Sequence, residues 1–276
     1  MTPEFTICIP WRPSPSRMKP FEKVRAYWEE NFPGVEIIPA DSDSEIFSLS
    51  QARNNAVRQA KTDIVLVADA DTVVLPIENV RTAVEMAVVD PQSVCWPHRV
   101  WRLVPHEFSD RPFDHFPNAP VLTEHPEGLG GCMVTTADEY WRLGGQDERF
   151  EGWGHEDRAF HCVVMTLSTF RRIGGIAYSI EHNHQLRAAD SPGWNRDSQP
   201  NRHLVLPYEN ATGKPWLMRE LLRIRAEEEL EQAGGDWRAR SGANEQDPIR
   251  RQLFAPRKPS PPPQQPDWHA RWGAHR

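Results

Sequence analysis

The chain has 276 residues, 38% apolar and 26% charged, with a formal net charge of −7. That length holds one large domain or two small ones, and the composition is that of a globular protein. The acidic sum excludes a module that coats nucleic acid through overall basicity, though not a local basic groove, and no stretch approaches the ~20 apolar residues of a membrane span.

Phe5 to Ile9 reads as a buried strand entered almost at once, with no basic leader or cleavage site before it; this predicts a cytoplasmic protein. The strand ends in the stiff loop Pro10-Trp11-Arg12-Pro13. Pro20 to Asn31 reads as a helix with Phe21, Val24, Tyr27 and Trp28 on one face, and Pro33-Gly34 stops it. Val35 to Ile38 is a second strand, followed by a loop through Asp41. Ser50 is the predicted cap of a helix over Gln51 to Ala60. The stretch VLVADADT (Val65 to Thr72) is a third buried strand that ends in Asp69 and Asp71. Strand and helix alternate from residue 5 to 72, the pattern of a nucleotide-binding α/β half, and ligands bind outside the carboxyl ends of such strands. Two carboxylates at that place repel one another, and a divalent cation carrying a nucleotide diphosphate relieves them.

Downstream, Glu78 to Val89 reads as a helix and Ser93 to Pro97 as a strand. Pro105 to Pro126 has no clear period, and its Phe108, Phe113 and Phe116 favour an ordered loop near a site. Gly130-Gly131 turns into a strand, and Thr136 caps a short helix over Asp138 to Leu143. The stretch GGQDERFEGWGHED, ending at Asp157, opens a helix running to about Leu167. Its glycines let the chain bend around Trp153, whose indole face suits a sugar ring, and its acids sit where a helix dipole favours negative charge. Ile176 to Ile180 is a strand running into His182 and His184, which share one face. Pro215 to Ala233 is a helix with Leu217, Leu221, Ile224 and Leu230 loosely aligned. From residue 236 the composition turns Pro-rich and core-poor, predicting disorder or a docking tail. The expected organisation is a domain over 1–207, a packed helix over 208–235, and the tail. The four cysteines (Cys8, Cys95, Cys132, Cys162) lack paired spacing and read as buried free thiols.

The order ADADT then GGQDERFEGWGHED resembles GT-A glycosyltransferases, the second motif resembling the C-terminal galactosyltransferase signature. That signature is shared by family-2-, family-7- and family-27-like enzymes, small bacterial and bacteriophage ones included. The resemblance covers about Phe5 to Arg187. It implies an α/β GT-A fold, Rossmann-like, with a mostly parallel central sheet and flanking helices. It implies transfer of a hexose or N-acetylhexosamine from a UDP-sugar, with Mn²⁺ first and Mg²⁺ second as metal. The acceptor is then a hydroxyl of a glycan, a protein or a modified nucleobase, and a phage-encoded chain would act in the host cytoplasm.

The resemblance also implies roles. Pro10, Trp11 and Arg12 match the loop that holds base and ribose, and Asp41 the acid that bonds them. Arg53, with Asn54 second, matches an arginine near the nucleotide. Asp71 matches the direct metal ligand and Asp69 its partner facing ribose or a metal-bound water. Gly130 and Gly131 match a turn beside the donor sugar, and Trp153 the floor of its pocket. Glu156 positions sugar hydroxyls and Asp157 is the catalytic base of an inverting transfer. His182 is the preferred histidine ligand, His184 the second. Against this stand a retaining transferase on the same fold and a non-catalytic nucleotide-sugar or glycan-binding module. A nucleotidyltransferase is a poorer match, because Pro10-Trp11-Arg12-Pro13 lacks its Gly-rich loop. Donor sugar, acceptor and oligomeric state stay open.

Overall fold

The computed structural model describes residues 3–152, 154–182, 201–232 and 248–253. In chain order its elements are β1 (Thr6–Pro10), α1 (Met18–Asn31), β2 (Glu36–Ala40), α2 (Leu49–Gln59), β3 (Ile64–Ala68), β4 (Thr72–Leu75), α3 (Glu78–Val89), β5 (Ser93–Trp96) and β6 (Val100–Val104). Two 3₁₀ turns, His106–Asp110 and Phe113–Asn118, lead to β7 (Thr123–Pro126), β8 (Cys132–Thr136), α4 (Ala137–Arg142), α5 (Glu156–Leu167), β9 (Thr169–Arg172) and β10 (Ile176–Ile180). Helices α6 (Arg202–Ala211), α7 (Pro215–Gln232) and α8 (Pro248–Leu253) follow.

The main sheet has the order β2-β1-β3-β8-β5-β9. β1 pairs parallel with β2 and β3, and β5 with β9, whereas β8 runs antiparallel to both its neighbours. The α/β class with flanking helices is as expected, and β8 makes the sheet mixed. The apolar run of β3 is the reason it lies centrally. Ile64, Leu66 and Ala68 enter one core and Val65 and Val67 the other, so period two buries both faces. Helices α1 and α3 contribute Trp28, Val80 and Val84 to the first core. The second takes Phe160 of α5, Tyr208 of α6 and Leu217 of α7. In α7, Leu217, Met218, Leu221 and Ile224 are buried in the second core, where the helix packs against α5 and α6; the side chain of Leu230 is outside the described residues. All four cysteines are buried and none forms a disulfide among the described residues, Cys95 and Cys132 lying in the first core and Cys8 and Cys162 in the second.

Four strands absent from the sequence reading (β4, β6, β7 and β9) change the picture. With β10, three of them build a second sheet in the order β4-β10-β6-β7. β4 starts directly after Asp71 and pairs antiparallel with β10, Thr72 opposite Ser179. The segment from Pro105 to Pro126 is ordered, with Phe108 and Phe116 buried. The cap of α2 is Ser48, whose Oγ accepts from the Gln51 amide at 3.2 Å; Ser50, assigned that role from sequence, is the second residue of the helix and is buried. Among the described residues no helix is long and apolar enough to cross a membrane. Of the predicted tail, 236–276, residues 248–253 form α8, whose Leu253 is buried in the second core, so this piece is not the core-poor segment expected; 236–247 and 254–276 lie outside the described residues.

Candidate active site

The β4–β10 pairing brings the paired aspartates to His182. With Thr72 opposite Ser179, the Ile180 amide donates to the Asp71 carbonyl at 2.9 Å, and His182 follows two residues later. Asp71 Oδ2 and His182 Nε2 lie 3.0 Å apart, and Thr72 Oγ1 donates to Asp71 Oδ1 at 3.1 Å. Burial pushes the Asp71 carboxyl up, but the hydrogen bond and charge of His182 outweigh it and hold the group below the usual carboxylate range. A divalent ion bound about 2.1 Å from two adjacent octahedral ligands holds them about 3.0 Å apart, so this pair fits Mn²⁺ or Mg²⁺ in spacing and donor type. Among the described residues no three His, Cys, Asp or Glu side chains converge, so this pair would offer two ligands and no third from those residues. His184 lies outside the described residues.

Asp69 takes a different partner. Arg53 Nη2 donates to Asp69 Oδ1 at 2.6 Å and Nη1 to Asp157 Oδ1 at 2.7 Å, joining the β3–β4 turn to the start of α5. Nη1 also donates to Gln146 Oε1 at 3.0 Å. Asn54, the neighbour of Arg53, fixes that glutamine: its Nδ2 donates to the Gln146 carbonyl at 2.9 Å and its Oδ1 accepts the Gln146 amide at 3.0 Å. Burial disfavours the Arg53 charge, but Asp157, Asp69 and Glu156 reverse that and keep it protonated. The Asp69 carboxyl is pushed up by burial, opposed by Arg53, with Asp157 and Asp71 adding to the rise.

The bend before α5 is made by Gly152 (φ 71), Gly154 (φ 104) and His155 (φ 76), all left-handed. It sets Glu156 and Asp157 in the first turn of a helix whose dipole favours acids. Glu156 is buried, and its carboxyl is pushed up to about 7 by burial and by the adjacent Asp157. Asp157 turns its second oxygen toward the Gly130 loop. A Cβ on Gly130 would stand 2.7 Å from Asp157 Oδ2, so only glycine leaves that oxygen its place. The loop is anchored by Trp96 Nε1, which donates to the Leu129 carbonyl at 2.6 Å.

A cavity of about 600 Å³ opens at these elements. Of the sequence-assigned residues, Pro10, Arg12, Asp69, Asp71, Gly130, Glu156, Asp157 and His182 line it. Trp11, Asp41, Arg53 and Gly131 stand off its wall. The Trp11 ring stacks on Phe21 at 4.1 Å, and Asp41 holds Arg12 Nε at 2.8 Å. Gly131 lies behind Gly130, with φ +98 and against Thr72 and Trp101. Arg53, expected near the nucleotide, is instead a buried bridge behind the cavity, because two carboxylates converge on it from opposite elements. Arg12 is occupied by its own loop, donating to the carbonyls of Ser42, Ser44 and Glu45. Trp153 lies outside the described residues. Gln146, Ser179 and Trp101 belong to the site or its support and were not picked out from sequence. Gln146 was legible only as part of the motif, and Ser179 and Trp101 only once the second sheet is known.

No protein-family model matches the chain, and no curated protein matches it. Among solved structures it is similar to two of a Drosophila β-1,4-galactosyltransferase 7. One is a mutant in complex with manganese, UDP-Gal and xylobiose, at 14% identity and a TM-score of 0.43, covering 70% of this chain and 76% of that one. The other is the catalytic domain with xylobiose, at 15% identity and a TM-score of 0.44, covering 72% and 79%. A third is GalNAc-T7 with UDP, GalNAc and Mn²⁺, at 12% identity and a TM-score of 0.47, covering 81% of this chain and 48% of that one.

Proposed function

We propose that the chain is a metal-dependent glycosyltransferase that moves a hexose or N-acetylhexosamine from a UDP-sugar to an acceptor hydroxyl with inversion. One observation carries the reading. The Asp71–His182 pair and Asp157 open into the same cavity, and Arg53 engages only Oδ1 of Asp157. Asp71 and His182 would hold Mn²⁺ or Mg²⁺, which when bound offsets charge on the donor's diphosphate. Asp157 Oδ2 is the oxygen left to take the proton of the attacking hydroxyl. The new bond joins that hydroxyl oxygen to the anomeric carbon, and the bond from that carbon to the diphosphate oxygen breaks with its electron pair. Arg53 orients Asp157 through Oδ1, and the buried Glu156 presents a carboxyl to sugar hydroxyls. Glycan, protein and modified-nucleobase hydroxyls are the acceptor classes assigned.

The test is a panel of UDP-sugars incubated with the full chain and MnCl₂, with UDP release as readout and chelation as control. Mn²⁺-dependent release from at least one donor is expected, and its absence across the panel sinks the reading. With a found acceptor, the anomeric configuration of the product separates inversion from retention.

A further inference from the structure

We infer that Ser14 and Arg17, on the loop between β1 and α1, clamp the diphosphate of the donor; this rests on the nucleotide-sugar reading above. Both residues line the cavity. Ser14 Oγ and Arg17 Nε are each buried without a hydrogen-bond partner among the described residues. Buried donors are nearly always satisfied, and two orphans on one wall mark a place where acceptor atoms are missing.

The contrast with Arg12, five residues earlier, makes the point. Arg12 spends its guanidinium on Asp41 and on three loop carbonyls. Arg17 takes part in no ion pair among the described residues. Aromatic faces hold it instead. Its guanidinium carbon sits 5.9 Å from the Trp11 ring centroid and 5.4 Å from that of Phe47. Cation–π contact grips the plane of a guanidinium and leaves the N–H edges available. The group is thus held in place with its donors unspent. No acidic residue lies in the first turn of α1, which starts at Met18, so no local carboxylate competes for the cation.

A planar fork beside a hydroxyl matches the oxygens of a phosphoryl group better than it matches a neutral sugar. The charge of Arg17 is also felt at Asp71, so guanidinium and carboxylate share one electrostatic neighbourhood. A diphosphate between them would meet Arg17 on one side and, on the other, the divalent ion that Asp71 and His182 would hold. This also gives Trp11 and Phe47 a role: they orient the arginine rather than stack on a base.

The experiment is calorimetric titration of the full chain with UDP and with uridine in MnCl₂, for the natural protein, Arg17→Ala, Arg17→Lys and Ser14→Ala, with thermal melting as a check of folding. Arg17→Ala is expected to weaken UDP about 10- to 100-fold, as for a lost charge-assisted pair, and uridine less than about twofold. Ser14→Ala should cost about three- to tenfold for UDP, and Arg17→Lys should recover part of the loss. If Arg17→Ala does not fold, Ser14→Ala and Arg17→Lys carry the comparison. Equal UDP affinity in natural and variant proteins overturns the clamp and leaves the enzyme reading standing. If UDP and other nucleoside diphosphates fail to bind but inorganic pyrophosphate with MnCl₂ binds in an Arg17-dependent way, the clamp stands and the nucleotide-sugar reading falls. If neither binds, both fall.

Discussion

Two pairs of acids face the cavity, and they are arranged differently. Asp69 and Asp71 stand two residues apart on a turn between sheets, while Glu156 and Asp157 are adjacent at a helix start. In the first pair, Asp71 goes to His182 and is held ionised, whereas Asp69 goes to Arg53 and is pushed up. In the second, Asp157 shares that same Arg53, and Glu156, more deeply buried, rises to about 7. One cation therefore ties a member of each pair to the other. Closeness in sequence does not decide what a carboxylate does; the partner each one reaches does.

That comparison can be broken one member at a time. Asp71→Ala removes a proposed metal ligand, and Mn²⁺-dependent UDP release should fall at least about 1,000-fold, since metal stabilisation of a leaving group is worth several kcal/mol. Steady-state assays over a Mn²⁺ series check this, and unchanged metal dependence would separate Asp71 from the metal. Asp157→Asn keeps the shape and removes the base. Transfer to an acceptor should drop about 100- to 1,000-fold while UDP affinity stays within a few-fold.

Arg53→Met strikes both pairs together. Leaving two partly buried carboxylates without their cation should destabilise the fold by about 3–5 kcal/mol at pH 7, with the deficit shrinking at acid pH as Asp69, whose carboxyl burial pushes up, is neutralised. Urea denaturation at the two pH values reads it, and a pH-independent deficit would mean that lost packing, not lost charge, is the cause. Glu156→Gln has the smallest expected effect and the opposite sign. The folded-state carboxyl, at about 7, lies above its ordinary value of 4.5, so its contribution is intact below pH 4.5 and is lost as pH rises through 7. The amide stays neutral, so the variant should melt higher than the natural protein at pH 8, by about 1–3 kcal/mol in stability, and little differently at pH 4.

The first half of the fold was legible because its signals are local. The continuous apolar run Ile64 to Ala68, the face formed by Phe21, Val24, Tyr27 and Trp28, and the Thr136 cap all act within one element. The second sheet was not. β4 is four residues long and follows Asp71 without a turn signal, and β6 mixes half-buried Trp101 and Arg102 with buried Leu103 and Val104. The site divides in the same way. Asp71, Asp157 and His182 were visible through the motifs that carry them. The role of Arg53 depends on contacts to Asp69 and Asp157 across sequence separations of 16 and 104 residues, which no local pattern encodes. The vacant donors of Ser14 and Arg17 were likewise invisible, since what marks them is the lack of a neighbour.

The four buried cysteines give the molecule an internal clock. Burial pushes the thiols of Cys8 and Cys95 to about 12 and that of Cys132 well up, so at pH 8 a native thiolate at Cys8 is populated about one part in ten thousand. An alkylating reagent therefore reacts through opened forms, at a rate set by how often the structure opens and how long it stays open. Because Cys95 and Cys132 report from one side of the main sheet and Cys8 and Cys162 from the other, mass-resolved labelling would time the breathing of each side separately.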